Sequence, residues 1–155
     1  MQPTTPNSDV PGIIIVDHGS RRAESNDMLL EVVRQFRQLN DWPIVEPAHM
    51  ELAAPSIADA YDRCVEQGAG TIVVHPYFLL PGRHWAQDIP QLTAEAAARH
   101  PGTRFVVTAP LGLHPGMAMV MQDRIKHCLA HVAGKADECE VCRGTGRCQL
   151  HLAGL

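Results

Sequence analysis

The chain has 155 residues, 45% hydrophobic and 19% charged, with a formal net charge of −4. That is one domain of ordinary globular make-up, not a disordered chain, and its acidic balance argues against a general nucleic-acid binder. The apolar runs, such as Ile13-Ile14-Ile15-Val16, fall far short of the ~20 residues of a membrane span.

Met1–Pro11 is polar and Pro-rich. It reads as a flexible N-terminal tail over residues 1–11 without the basic-then-apolar pattern of a signal peptide. A cytoplasmic location with reduced thiols is the expectation. Gly12–Val16 is a β-branched run that suits a strand buried on both faces. Leu29, Val32, Val33, Phe36 and Leu39 recur at helical spacing. Ile44–Met50 is a second strand, weakened by Pro47. Ile57, Ala60, Tyr61, Cys64 and Val65 form the stripe of the next helix, which Gly68 and Gly70 end.

Thr71–His75 is a third strand and Pro76–His84 a long loop. A helix over about 86–100 stops at Pro101-Gly102, and Arg104–Thr108 is the fourth strand. The last helix, about 116–132, is expected to turn Met117, Val120, Met121, Ile125, Cys128 and Val132 inward. Strand and helix alternate four times. The pattern predicts an α/β domain over 12–132, a three-layer sandwich on a four-stranded, mainly parallel sheet. Residues 133–155 read as an appended Cys-rich tail.

Ligands of such sheets bind beyond the carboxyl ends of the strands. Five of the nine His fall there: His18, His49, His75, His84 and His114. A single His of this kind is most often a surface or hydrogen-bonded residue, and His75, ending an apolar strand, is expected to be a hydrogen-bonded structural one. The grouping points further. Imidazole is the commonest protein metal ligand, and two His with a carboxylate such as Glu51 leave coordination positions open. The loop Tyr77-Phe78-Leu79-Leu80 is apolar enough for a flat organic ligand, and Arg83 beside it suits ligand carboxylates. Gly19-Ser20 before a helix is a weak anion signal. There is no G-x-G-x-x-G, Walker A or G-x-S-x-G sequence, so neither a nucleotide cofactor nor a hydrolase elbow is expected.

Four segments carry a family resemblance. Val16-Asp17-His18-Gly19-Ser20, Ala48–Ile57, His75–His84 running on to Asp88-Ile89-Pro90, and Pro110–Pro115 resemble, in order, the motifs of the small chelatases of the CbiX/SirB type. The resemblance spans about residues 12–131. It implies half of a two-domain chelatase fold, completed by a homodimer. It also implies insertion of a divalent metal, Fe²⁺ or Co²⁺, into the tetrapyrrole sirohydrochlorin, on the way to sirohaem or cobalamin. The family's metal-binding pair maps onto His18 and His84, and Glu51 matches the acidic position of the second motif. These three are the expected catalytic residues. Ser20, Phe78, Leu79, Leu80, Arg83 and His114 are expected around the substrate. The alternative is a metal-storage protein without catalysis, which needs no apolar loop.

The tail reads Cys139-x2-Cys142-x5-Cys148. Thiols two residues apart can chelate one ion across a tight turn. The expectation is zinc, with His151 as fourth ligand, or an iron–sulfur cluster completed by Cys128 or a partner subunit. A thiol tail without metal is the competing reading. Cys64 and Cys128 sit in apolar stripes and read as core.

Overall fold

The computed structural model describes residues 7–146 and Cys148. The chain divides into two compact units, Met1–Gly112 and Leu113–Leu155. In the first, β1 (Asn7–Asp17) is followed by α1 (Ala23–Leu39), β2 (Ile44–His49), α2 (Ile57–Glu66) and β3 (Ala69–Pro76). A π-turn (His84–Asp88) then runs into α3 (Ile89–Ala98), and β4 (Arg104–Val107) closes the unit. The sheet order is β2-β1-β3-β4 and all three pairings are parallel.

The β1 sequence explains its central place. Side chains alternate across a strand, and here both alternating sets are apolar. Ile13 and Ile15 join Leu29, Val33 and Val45 under α1. Ile14 and Val16 join Ile57, Tyr61, Cys64 and Ile89 under α2 and α3. β1 opens at Asn7, ahead of the apolar run, because Asn7 still pairs with Ala69 across a register irregularity before Pro11. β2 tolerates Pro47 because it is an edge strand. The α2 stripe is buried as its spacing predicts, and a Ser56–Asp59 capping box starts the helix.

Two expectations need correction. The helix after β3 opens earlier and wider than periodicity indicates. Ile89 N–H bonds back to His84 O, an i→i+5 bond. The following Pro90 has no N–H to give the ordinary ladder, so the turn before it is widened. The second correction concerns α4 (Pro115–Val132), which buries no residue. Val120, Met121, Ile125 and Val132 are 47–63% exposed and Cys128 is exposed as well, whereas all were expected to face inward. Among the described residues the second unit contains one helix and an irregular segment, which supply no layer of their own to cover that stripe.

Candidate metal-transfer site

The carboxyl ends of β1, β2 and β3 meet at one rim. Main-chain bonds lace the loops there: Met50 N–H to Asp17 O at 2.8 Å, Glu51 N–H to His18 O at 3.0 Å, and Tyr77 N–H to Val16 O at 2.7 Å. The segment after β1 thereby lies along the segment after β2. Gly19 makes this approach feasible. Its φ is +86°, and a Cβ there would lie 1.9 Å from Glu51 O.

His18, Glu51 and His84 come together on this rim. His18 Nε2 lies 2.9 Å from Glu51 Oε1. The His18 and His84 rings are edge-on, with centroids 5.0 Å apart. His18 Nδ1 contacts Gly19 O at 3.0 Å. That carbonyl and the Glu51 carboxylate only accept, so a doubly protonated ring satisfies both contacts and a neutral ring only one. His84 Nδ1 contacts Asp88 Oδ2 at 2.7 Å. The carboxylate fixes the proton on Nδ1 and leaves the Nε2 lone pair for an ion. All three groups are about half exposed, which keeps the site open.

A cavity of about 520 Å³ adjoins them, lined by Met50, Glu51, Arg83, His84, Asp88 and Leu92 among others. Phe78 packs against the core and lies 6.3 Å from the His84 ring. Leu79 and Leu80 are 63% and 69% exposed. Arg83 is also exposed, 3.9 Å from Asp88. The Ser20 backbone is pinned by Asn26 through two bonds, 2.9 and 2.8 Å, and its hydroxyl accepts from Arg22 N–H. His114 belongs to the second unit, where its Nδ1 accepts from Gly116 N–H as the α4 N-cap.

The other rim histidines are supports. His49 is 1% exposed and its Nδ1 lies 2.6 Å from Asp17 Oδ1, which also accepts from Gly19 N–H. His75 Nδ1 bonds Thr108 Oγ1 at 2.8 Å, and burial pushes its pKa down. Sequence reasoning missed Asp17 and Asp88 as partners. The signal for Asp88 was its i+4 spacing from His84. In the tail, Cys142 N–H and Arg143 N–H both bond to Cys139 O, at 3.1 and 2.9 Å. His151, the expected fourth ligand, lies outside the described residues.

A CbiX family model matches residues 12–128. The chain belongs to the CbiX family. Over 143 residues it is 60% identical to the chloroplastic sirohydrochlorin ferrochelatase of Arabidopsis thaliana, covering 92% of this chain and 64% of that one. A CbiX cobalamin-biosynthesis protein from Marinobacter aquaeolei superposes with a TM-score of 0.68 at 28% identity, covering 78% of this chain and 98% of that one. The Bacillus subtilis sirohydrochlorin chelatase SirB, solved with cobalt, gives 0.70 at 31%, covering 75% and 50%. The CbiX chain described here spans between 37% and 64% of the length of the first three curated relatives it matches. Half of SirB is what it matches, as the expectation of half a two-domain chelatase requires. Among the described residues no helix is long and apolar enough to cross a membrane.

Proposed function

We propose that this protein inserts Fe²⁺ or Co²⁺ into sirohydrochlorin. The observation that carries the reading is the convergence of His18, His84 and Glu51 on an open rim beside the cavity. Relatives named as sirohydrochlorin ferrochelatase and SirB with cobalt supply the substrate and the two metals.

In this reading the metal is cargo, held by the Nε2 atoms of His18 and His84. Two bonds from protein leave positions free for the ring nitrogens. When an ion takes His18 Nε2, the proton on that atom moves to Glu51, 2.9 Å away, and from that exposed carboxylate to solvent, which leaves Glu51 ionised for the next step. Insertion releases two pyrrole protons for each ion that enters. As the ion passes to the ring, the freed His18 imidazole accepts one and relays it to Glu51, and the second leaves through solvent at this exposed rim. The ion itself lowers the cost of deprotonating the pyrroles it contacts. Leu79 and Leu80 offer an apolar lip to the flat ring, backed by Phe78 beside His84. Arg83 and Ser20 are assigned to its polar periphery. A storage protein would have no use for two exposed leucines beside its ligands, which disfavours the non-catalytic alternative.

The catalytic part is assigned to 12–132 and the metal-binding tail to 133–155. The tail thiols are read as a zinc or iron–sulfur site, on the tight turn that joins Cys139 and Cys142, where Cys142 N–H bonds to Cys139 O at 3.1 Å. A homodimer is part of the same proposal. The exposed apolar residues of α4, with Met119, Met121 and Leu129 at 63–69%, support a partner copy covering them. A reducing compartment is also part of it. The cytosol is the expectation, and the plant relative's name points instead to the chloroplast.

The test follows the visible spectrum of sirohydrochlorin mixed with Co²⁺ or Fe²⁺. His18→Ala and His84→Ala are expected to abolish insertion while leaving the unfolding midpoint near wild type. Near-wild-type rates in both variants would overturn the assignment.

A further inference from the structure

The turn that carries His84 is tied to the rest of the fold at few points. Every residue from Leu79 to His84 is exposed, and a Cβ on Gly82 would meet nothing within 4 Å. Upstream, Leu111 N–H holds Phe78 O at 2.9 Å. Downstream, Ile89 is buried in the core. Among the described residues, one hydrogen bond between these two points reaches beyond the turn and α3. Trp85 Nε1–H donates to Thr108 O at 2.8 Å. Trp85 follows His84 in the chain and is partly buried, while His84 is exposed.

The acceptor is itself braced. Thr108 N–H bonds to Val74 O at 2.9 Å, just past the last β3–β4 pair, Val74 with Val107. The Thr108 hydroxyl donates to Ala109 O at 3.0 Å, and so accepts from His75 Nδ1–H at 2.8 Å. Thr108 is thereby fixed to the carboxyl end of β3, the strand from which the His84 loop departs. The turn needs such a stop. Its bond from Ile89 N–H to His84 O spans five residues, a geometry that is rare and concentrated at functional sites. Relaxing it toward an α-turn would rotate the side chains upstream of Ile89 about the axis, His84 furthest of all. An indole bonded to a fixed carbonyl, one residue from His84 on the same turn, resists that rotation.

We propose that Trp85 is a positioning residue for metal transfer: the bond from its indole N–H to Thr108 O sets the rotation of the turn that points His84 at His18. This rests on the reading that His18 and His84 hold the cargo metal. The spacing at stake is the 5.0 Å between the two ring centroids. A metal–imidazole bond is ~2.0–2.1 Å long, so a rotation that carries one ring ~1 Å away takes its nitrogen out of coordination. Asp88 has a different task, since it faces His84 Nδ1 and orients the ring within the turn. Trp85 places the turn itself.

The experiment titrates the full chain with Co²⁺ alone by calorimetry and then follows insertion into sirohydrochlorin. Trp85→Phe keeps an aromatic ring and removes the donor. Replacing Trp85 by 3-benzothienylalanine keeps both rings and exchanges only the N–H for sulfur, which separates the bond from the packing. Both variants are expected to weaken Co²⁺ binding ~10-fold or more and to lower kcat, with the KM for sirohydrochlorin unchanged. Tyr61→Phe is the control. It removes a hydrogen bond of the same length, 2.8 Å to Thr103 Oγ1, at the opposite end of β4, and should leave Co²⁺ affinity at the parent value. In a His84→Ala background, Trp85→Phe should cause no further loss. Parent-level Co²⁺ affinity in either Trp85 variant, an equal loss in Tyr61→Phe, or a further loss without His84 overturns the role of Trp85 and leaves the His18–His84 pair standing. A parent chain whose Co²⁺ affinity is indifferent to His18→Ala and His84→Ala overturns both readings.

Discussion

Gly19→Ala tests whether the β1–β2 lacing sets the position of His18. Ala at φ +86° costs ~1–2 kcal/mol in left-handed strain. The new Cβ would sit 1.9 Å from Glu51 O, and real Cβ contacts stay beyond 3.0 Å, so that carbonyl must retreat by 3.0 − 1.9 = 1.1 Å. The Glu51 N–H bond to His18 O, 3.0 Å long, ties the same backbone. Losing it adds ~0.5–1.5 kcal/mol. The sum is ~1.5–3.5 kcal/mol, a fall of ~0.5 M or more in the urea midpoint at a slope of ~1–3 kcal/mol/M. Gly68→Ala is the control. Its φ is +98° but a Cβ there meets nothing within 4 Å, so only the strain of ~1–2 kcal/mol applies. Insertion should fall ~100-fold in the Gly19 variant, since a displacement of ~1 Å has that effect on aligned groups, and should persist in the Gly68 variant. Equal midpoints for the two variants, or wild-type insertion by Gly19→Ala, would refute the reasoning.

Three shorter predictions concern stability and reactivity. Ser56→Ala removes the capping box of α2 and should cost ~1 kcal/mol in chemical denaturation. The Ser56 backbone and hydroxyl also hold the Asp59 carboxyl below its usual pKa. The folded state therefore binds this proton less readily than the unfolded one, and the contribution should vanish as pH falls below ~4. His75 behaves as a buried base, its pKa lowered by burial. Below pH ~6.5 the unfolded chain takes up a proton that the folded chain refuses, so stability should decline there, and His75→Gln should flatten that part of the pH profile. Burial pushes the Cys64 thiol up to about 12. Mass spectrometry after iodoacetamide should find Cys64 unmodified in the native protein and modified in urea.

Much of the fold was legible because β1, β3 and α2 state their burial in their own residues. Ile13-Ile14-Ile15-Val16 can only be a strand covered on both faces, and the Ile57–Cys64 stripe can only be one side of a helix. The α4 stripe shows the limit of that reasoning. Periodicity says that an apolar face exists, and the partner that buries it lies outside the sequence of the helix. The site was legible as a set of residues at strand ends and illegible as pairs. His18 and Glu51 are brought together by main-chain bonds between two loops, and no side-chain pattern encodes a loop-to-loop register.

The Asp88 carboxylate separates orientation from coordination at the proposed metal pair. It contacts His84 Nδ1 at 2.7 Å from the far side of the ring, across the π-turn. Asp88→Asn keeps an acceptor of the same shape and removes the charge. The His84 ring should stay in place, with a less basic Nε2. Loss of such a partner typically costs ~10–100-fold in metal affinity. Stability should change by less than ~0.5 kcal/mol, because the pair is largely exposed, 48% and 31%. Calorimetric titration of Co²⁺ reads the affinity, and the sirohydrochlorin spectrum reads the rate. Arg83, 3.9 Å from Asp88, loses a weak partner in the same variant, so Arg83→Gln is the companion. It should raise the KM for the tetrapyrrole and leave Co²⁺ affinity unchanged. Unchanged Co²⁺ affinity in Asp88→Asn would mean that the carboxylate does not tune His84, and His84 would then act, if at all, from a ring held by its packing against Phe78 and His18 alone.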